Sequence, residues 1–206
     1  MLFGLFLTAV AINCQAKEMW YEGVIILKNN EVHVGQVAMH QKHDIVNLKQ
    51  GDRQFSFSAY QVASFCIHDE EFGIVRKFKS FPYEEHEGRY TDMFFEVVIN
   101  KEVVLLRKQN KYSARNYEIM EVGLQTNYSR FVTNYDYFFE YKGIITPSNR
   151  FKREFKPILD IMLKEKLDVF IKDNGLNMNR TYDQIIVVRF FNKLVETEGA
   201  SFLTSN

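Results

Sequence analysis

Five histidines, one Cys–His pair and one run of carboxylates are the residues here whose types could do chemistry. His40 and His43 stand three apart, a spacing that two metal ligands can share. They fall in an expected turn without a nearby cysteine, and no Cys-x-x-Cys or His-Glu-x-x-His motif occurs. His33 alternates with Val32 and Val34 and so points away from their face. Exposed turn histidines are the plainer reading, and no metal site is expected. Cys66 and His68 share one face of an expected strand, where a thiolate beside an imidazole could act as a nucleophile. Same-face neighbours on a strand lie about 7 Å apart, beyond direct hydrogen bonding. Phe65 and Ile67 mark the core face, which leaves Cys66 and His68 on the other.

Glu84-Glu85-His86-Glu87 gathers carboxylates around an imidazole. Paired carboxylates can hydrolyse glycosides or bind calcium. Four consecutive residues in a polar loop do not face each other across a cleft, and the calcium-loop pattern is absent. A solvated charge run is the simpler account. No G-x-S-x-G, P-loop or G-x-G-x-x-G is present. No catalytic residue and no cofactor is therefore assigned.

Aromatics are the outstanding feature: 19 Phe, 11 Tyr and 1 Trp. Tyr135, Tyr137, Phe139 and Tyr141 recur every second residue and share one strand face. Such a stripe is ordinarily core. It is also the best candidate for a ligand-binding surface, because exposed Tyr and Trp stack on sugars and anchor interfaces.

The chain has 206 residues, with 26 Lys+Arg against 26 Asp+Glu and a formal net charge of zero. That balance argues against a phosphate-tracking nucleic-acid binder and a polybasic membrane-surface protein. Hydrophobic residues at 46% and charged residues at 25% fit a globular protein of one domain or two small ones.

Residues 1–16, MLFGLFLTAVAINCQA, carry no charge. Leu2 to Ile12 rises only about 16 Å as a helix, too short to span a bilayer. Cys14 and Ala16 supply small residues at −3 and −1, so the segment reads as a secretory signal peptide with a mature start at Lys17. The second reading is a lipidated Cys14, which would attach the chain to a membrane. After cleavage Cys66 is the sole cysteine, so no internal disulfide is expected.

These residues must be positioned by short strands first and helices last. Runs at 20–28, 31–39, 45–50, 53–57, 63–68 and 72–78 read as strands, with turns at Asn29-Asn30 and Gly51-Asp52. Residues 80–91, SFPYEEHEGRYT, read as a polar break with Pro82 and Gly88. Further strands are expected at 93–99, 102–108, 117–124 and 135–141. The period then changes to 3.6. Phe151, Phe155, Ile158, Leu159 and Met162 form one helical stripe, kinked or broken at Pro157. Leu163, Leu167, Phe170 and Ile171 continue it as far as Asn174-Gly175. Thr181 to Gln184 reads as a capping box. The helix after it buries Tyr182, Ile186, Val187, Phe190, Phe191 and Leu194, with Arg189, Asn192, Lys193 and Glu196 wet.

Four segments carry a resemblance. Glu22-Gly23-Val24-Ile25 with Val32-His33-Val34-Gly35-Gln36-Val37 is similar to G-x-I-x-x-x-x-G-D-T-I-x-G-x-I, with Asn30-Glu31 in place of Gly-Asp. Phe57 to Phe65 is similar to Y-x-P-x-x-I-x-x-F, and Phe94 to Leu106 to F-L-E-x-L-V-x-G-x-I-x-L-Y. Phe191-Asn192 takes the place of a late Y-N. In these motifs the chain resembles an uncharacterised family of secreted proteins from Bacteroidetes. The resemblance implies an envelope or secreted location and transfers no catalytic residue.

The expected architecture is α+β. A small β-barrel-like meander, an SH3-like roll, occupies 17–80. A second β-rich segment follows over 81–147, a helical region packed on the sheet over 148–198, and a frayed tail over 199–206. Residues 17–198 can also be read as one compact unit. The expected function is an exported, non-enzymatic binding protein whose partner is a protein or glycan of the cell envelope. A carbohydrate-binding module using exposed Tyr and Trp is the first alternative. A hydrolase using the 84–87 carboxylates is the second.

Overall fold

A computed structural model describes residues 19–40, 43–86, 88–109, 119–120, 131–132 and 135–203. The expected signal peptide, Cys14 and most of the strand expected at 117–124 lie outside the described residues. The first five strands are β1 Tyr21–Leu27, β2 Val32–His40, β3 Ile45–Gln50, β4 Arg53–Ser58 and β5 Val62–Asp69. They are followed by β6 Ile74–His86, β7 Arg89–Ile99 and β8 Val104–Gln109. β9 Ile119–Met120, β10 Phe131–Val132, β11 Tyr135–Tyr141 and β12 Ile144–Pro147 complete the set. The turns sit where small polar residues predict them: Asn30 and Gly51 both adopt positive φ.

Ten strands form one antiparallel sheet in the order β12-β11-β8-β7-β6-β5-β1-β2-β3-β4, while β9 and β10 pair separately. The sheet is open, and the two β-rich segments expected from the sequence belong to it together. The polar break expected at 80–91 is instead the tip of a long β6–β7 hairpin, with Pro82 opposite Asp92 and Glu84 opposite Tyr90. β6 pairs with β5 only as far as Lys79, so Pro82 lies on a free edge where a missing N–H costs least. Phe81 and Tyr83 keep the strand period and pack edge-on against Phe95.

Gly23 and Gly35 face each other across β1 and β2. A Cβ on Gly35 would stand 2.5 Å from the Lys49 carbonyl oxygen, and one on Gly23 would collide with the Cys66 carbonyl. The strands approach here more closely than any side chain allows. Asp44, in the β2–β3 connection, has φ 51°. It accepts the Phe94 N–H at 2.8 Å and a hydrogen bond from Lys108, whose Nζ also donates to the Phe94 carbonyl. The β7–β8 ladder begins only at Glu96, so these two side chains satisfy Phe94 backbone that β8 does not reach.

A 3₁₀ turn at Ser148–Arg150 and a π-helical turn at Phe151–Phe155 lead into α1 Lys156–Asp173; α2 spans Thr181–Leu203. The chain is therefore helical well into the stretch expected to be a frayed tail. Pro157 sits in the first turn of α1, where its missing N–H is harmless. The kink is at Leu163 (φ −139°, ψ 31°), and it leaves Met162 half-exposed rather than on the buried stripe. Lys156 bridges that kink, 2.8 Å from both Asp160 and Asp168.

Two corrections concern α2. Asn192 is 4% exposed and not on a wet face. Gln184 does not close a capping box: its Nε2 donates to the Ser148 and Met178 carbonyls, and its Oε1 takes no hydrogen bond among the described residues.

The helices cover one end of one sheet face, packing Phe151, Phe155, Leu159, Leu167, Val188 and Phe191 on Leu105, Phe139 and Tyr141. A second core, including Ile25, Val37, Leu48, Phe65, Phe78 and Phe94, joins β1, β2, β3, β5, β6 and β7. A third, Met93, Phe95, Leu106 and Phe138, lies on the opposite sheet face. No described helix is long and apolar enough to cross a membrane.

Candidate functional site

The aromatic stripe of β11 runs from core to rim. Phe139 and Tyr141 are buried beneath the helices, and Phe139 meets Phe151 and Phe155. Tyr137 and Tyr135 are half-buried. The four therefore share one face but make no exposed aromatic row. Trp20 is half-buried as well.

Where the stripe leaves the core it meets an ionic cluster. Glu96 on β7 stands between Arg76 on β6 and Arg107 on β8. Arg76 donates to it through Nε at 3.1 Å and Nη2 at 2.8 Å. Arg107 donates through Nε at 2.9 Å and Nη2 at 2.7 Å. Asp69 Oδ2 lies 3.5 Å from Arg76, and the Arg107 guanidinium stacks 4.3 Å over the Tyr135 ring. The register explains the meeting: Phe78 faces Glu96, Glu96 faces Arg107, and Arg107 faces Tyr137.

Burial pushes the Glu96 carboxyl up, but the hydrogen bonds from Arg76 and Arg107 outweigh it and hold the group below its ordinary range. Both guanidiniums are raised: burial opposes their charge, and the bonds to Glu96 prevail. Burial raises Tyr137 against the pull of Arg107. A carboxylate held ionised by two forked donors is neither a proton donor nor a free base. The cluster joins β6, β7 and β8.

Of the acidic run, Glu84 is the carboxylate whose side chain is described. Glu84 is exposed at the hairpin tip and accepts the Gly88 N–H at 2.6 Å; Glu87 lies outside the described residues. Phe65 and Ile67 are buried, while Cys66 is a half-buried free thiol and His68 is exposed. His40 and His43 are exposed in the β2–β3 turn region. Among the described residues no three His, Cys, Asp or Glu side chains group as a metal ion requires.

A shallow groove lies between α1 and α2. It encloses about 420 Å³ and is lined by Val169, Phe170 and Phe190 together with the charged residues Glu165, Lys166 and Asp173. Phe170 and Phe190 stack face to face at 3.8 Å. Val169 is 58% exposed, and on the same helix Ile161 is 84% exposed. Sequence reading placed Phe170 and Phe190 on buried stripes; the signal for a groove was Val169, an apolar residue off the stripe. Comparison with family models, curated proteins and solved structures gave no match.

Proposed function

We propose that this chain is an exported, non-enzymatic binding protein of the periplasm or cell surface, and that a protein partner docks in the α1–α2 groove. The observation that carries this reading is the exposed apolar surface of α1, with Val169 beside the stacked Phe170 and Phe190. Apolar groups gathered on a surface and rimmed by charge favour a protein contact. Glu165 and Asp173 outnumber Lys166 in the lining and favour a partner segment that offers an apolar side chain flanked by lysine or arginine. The charge-free 1–16 segment and the resemblance to secreted Bacteroidetes proteins support export. On the same footing we read β1–β5 as a partly closed SH3-like roll, supported by the order β5-β1-β2-β3-β4 and the Gly23–Gly35 approach.

Intact mass of protein fractionated from the native cell tests the export half. A species beginning at Lys17 outside the cytoplasm is expected; unprocessed protein in the cytoplasm overturns it. A photo-crosslinking residue at Val169 tests the groove. A discrete protein adduct that is lost in the Glu165→Lys/Asp173→Lys variant is expected. No adduct, or one that ignores the lining charges, refutes the docking site.

A further inference from the structure

The two edges of the ten-stranded sheet are finished differently. β12 has four residues, ends in Pro147 and leads directly into the 3₁₀ and π turns. β4 has six residues, no proline and a single charge, Arg53, at its start. Natural sheets blunt their edges with proline, charge or short strands, and an edge without them is a template for another strand.

The ladder fixes which groups of β4 are free. The Ala59 N–H donates inward to the Asp44 carbonyl at 3.1 Å, continuing the β3–β4 pairing. Odd-numbered residues of β4 therefore bond to β3, and Gln54, Ser56 and Ser58 turn their N–H and C=O outward. Ser58 is closed off. Its N–H donates to Gln61 Oε1 at 3.0 Å, and its carbonyl accepts the Gln61 N–H at 3.0 Å. The outward groups of Gln54 and Ser56 remain, and β4 has no strand beyond it among the described residues.

We propose that β4 is an interface for a second copy of this chain, the two strands pairing antiparallel about a two-fold axis at Phe55. Satisfying every free group requires Gln54 opposite the partner's Ser56, and Ser56 opposite the partner's Gln54. Phe55 then faces the partner's Phe55 as the close pair without backbone hydrogen bonds. Arg53 faces the partner's Phe57, which sets a cation against an aromatic face and opposes no like charges. Centring the axis on Ser56 would instead require Ser58, which Gln61 occupies.

The side chains agree with this register. Phe55 pairs across the ladder with buried Leu48, so it belongs to the core face of the sheet, yet it is 38% exposed at the rim. It stacks with Phe57 at 6.4 Å. Joining two edges covers this rim with its own likeness, and the contact is self-complementary, as a two-fold interface must be. The area is small, so the association is weak and concentration-dependent. The proposal is independent of the α1–α2 groove.

Sedimentation velocity of the full chain over a concentration series is the test, with amide exchange on the same samples. A reversible dimer is expected, with exchange at Gln54 and Ser56 slowing as concentration rises. Phe55→Lys and Phe55→Glu should each weaken association roughly 100-fold by opposing like charges on the axis. An equimolar mixture of the two should restore the dimer, which only this register predicts. Thermal melts of both variants check that they fold. A monomer at every concentration, a dimer indifferent to either substitution, or a folded mixture that fails to associate overturns the proposal. If neither variant folds, the parent decides: exchange at Gln54 and Ser56 that ignores concentration overturns it.

Discussion

The carboxamide of Asn192 on α2 exchanges two hydrogen bonds with the backbone of Val103 in the β7–β8 turn. The Val103 N–H donates to Oδ1 at 2.8 Å, and Nδ2 donates to the Val103 carbonyl at 2.9 Å. A helix side chain thus plays the part of a strand neighbour for a turn that no strand covers. Asn192→Leu keeps the branching and the number of side-chain heavy atoms and strands both buried backbone groups. Urea denaturation should show a loss of about 2–4 kcal/mol as a lower midpoint at constant m-value. A midpoint within error of the parent would mean that the pair is not needed.

Glu96 should make the protein acid-sensitive. Its folded pKa lies below the unfolded one, so its contribution is full above the ordinary glutamate range. That contribution disappears as pH falls through the depressed folded value. Glu96→Gln should cost roughly 3–5 kcal/mol at neutral pH, because Arg76 and Arg107 are left buried without their counter-charge. It should also flatten the acid limb of stability against pH. Denaturation midpoints measured from neutral pH downward test both, and a parallel acid limb in the variant would assign the sensitivity elsewhere.

Gly35→Ala places a methyl group against the Lys49 carbonyl in a strand that should otherwise welcome a side chain. The expected cost is about 1–3 kcal/mol, seen as a lower Tm. Gly51→Ala meets no atom but sits at φ 59°, so its cost is backbone strain alone. Neither loss should be repaired by shortening a neighbouring side chain, which does nothing for Gly51→Ala. It does little for Gly35→Ala either, since the obstacle is backbone.

Asp44 and Lys108 should be energetically coupled. A double-mutant cycle with Asp44→Asn and Lys108→Met should give an interaction term of roughly 1–3 kcal/mol, since both serve the Phe94 backbone and each other. Additive losses would show that the two side chains act separately.

Much of this was legible in the residues. Asn29-Asn30 and Gly51-Asp52 announced their turns, and the alternation of Phe65 and Ile67 with Cys66 and His68 assigned both faces of β5. β11 begins and ends where its aromatics do. The 80–91 hairpin was hidden because a free ribbon is wet on much of its surface and shows little burial pattern. Asn192 was read as wet because its partner is 89 residues away and nothing local marks it. The kink at Leu163 has neither proline nor glycine to betray it. Of the ionic cluster, Glu96 and Arg107 become partners only once the β7–β8 register is known, and Arg76 needs the β6 register too.

Strand order also has a kinetic meaning. Of the nine neighbouring pairs in the large sheet, all but β1–β5 and β8–β11 join consecutive strands. Consecutive hairpins close over short loops and form early, whereas β1 must find β5 across residues 28–61. That encounter is the slow step in assembling the N-terminal half. Ile25→Val, on the β1 side of it, should therefore retard refolding as much as it destabilises. Trimming β3 instead, at Val46→Ala, should chiefly hasten unfolding.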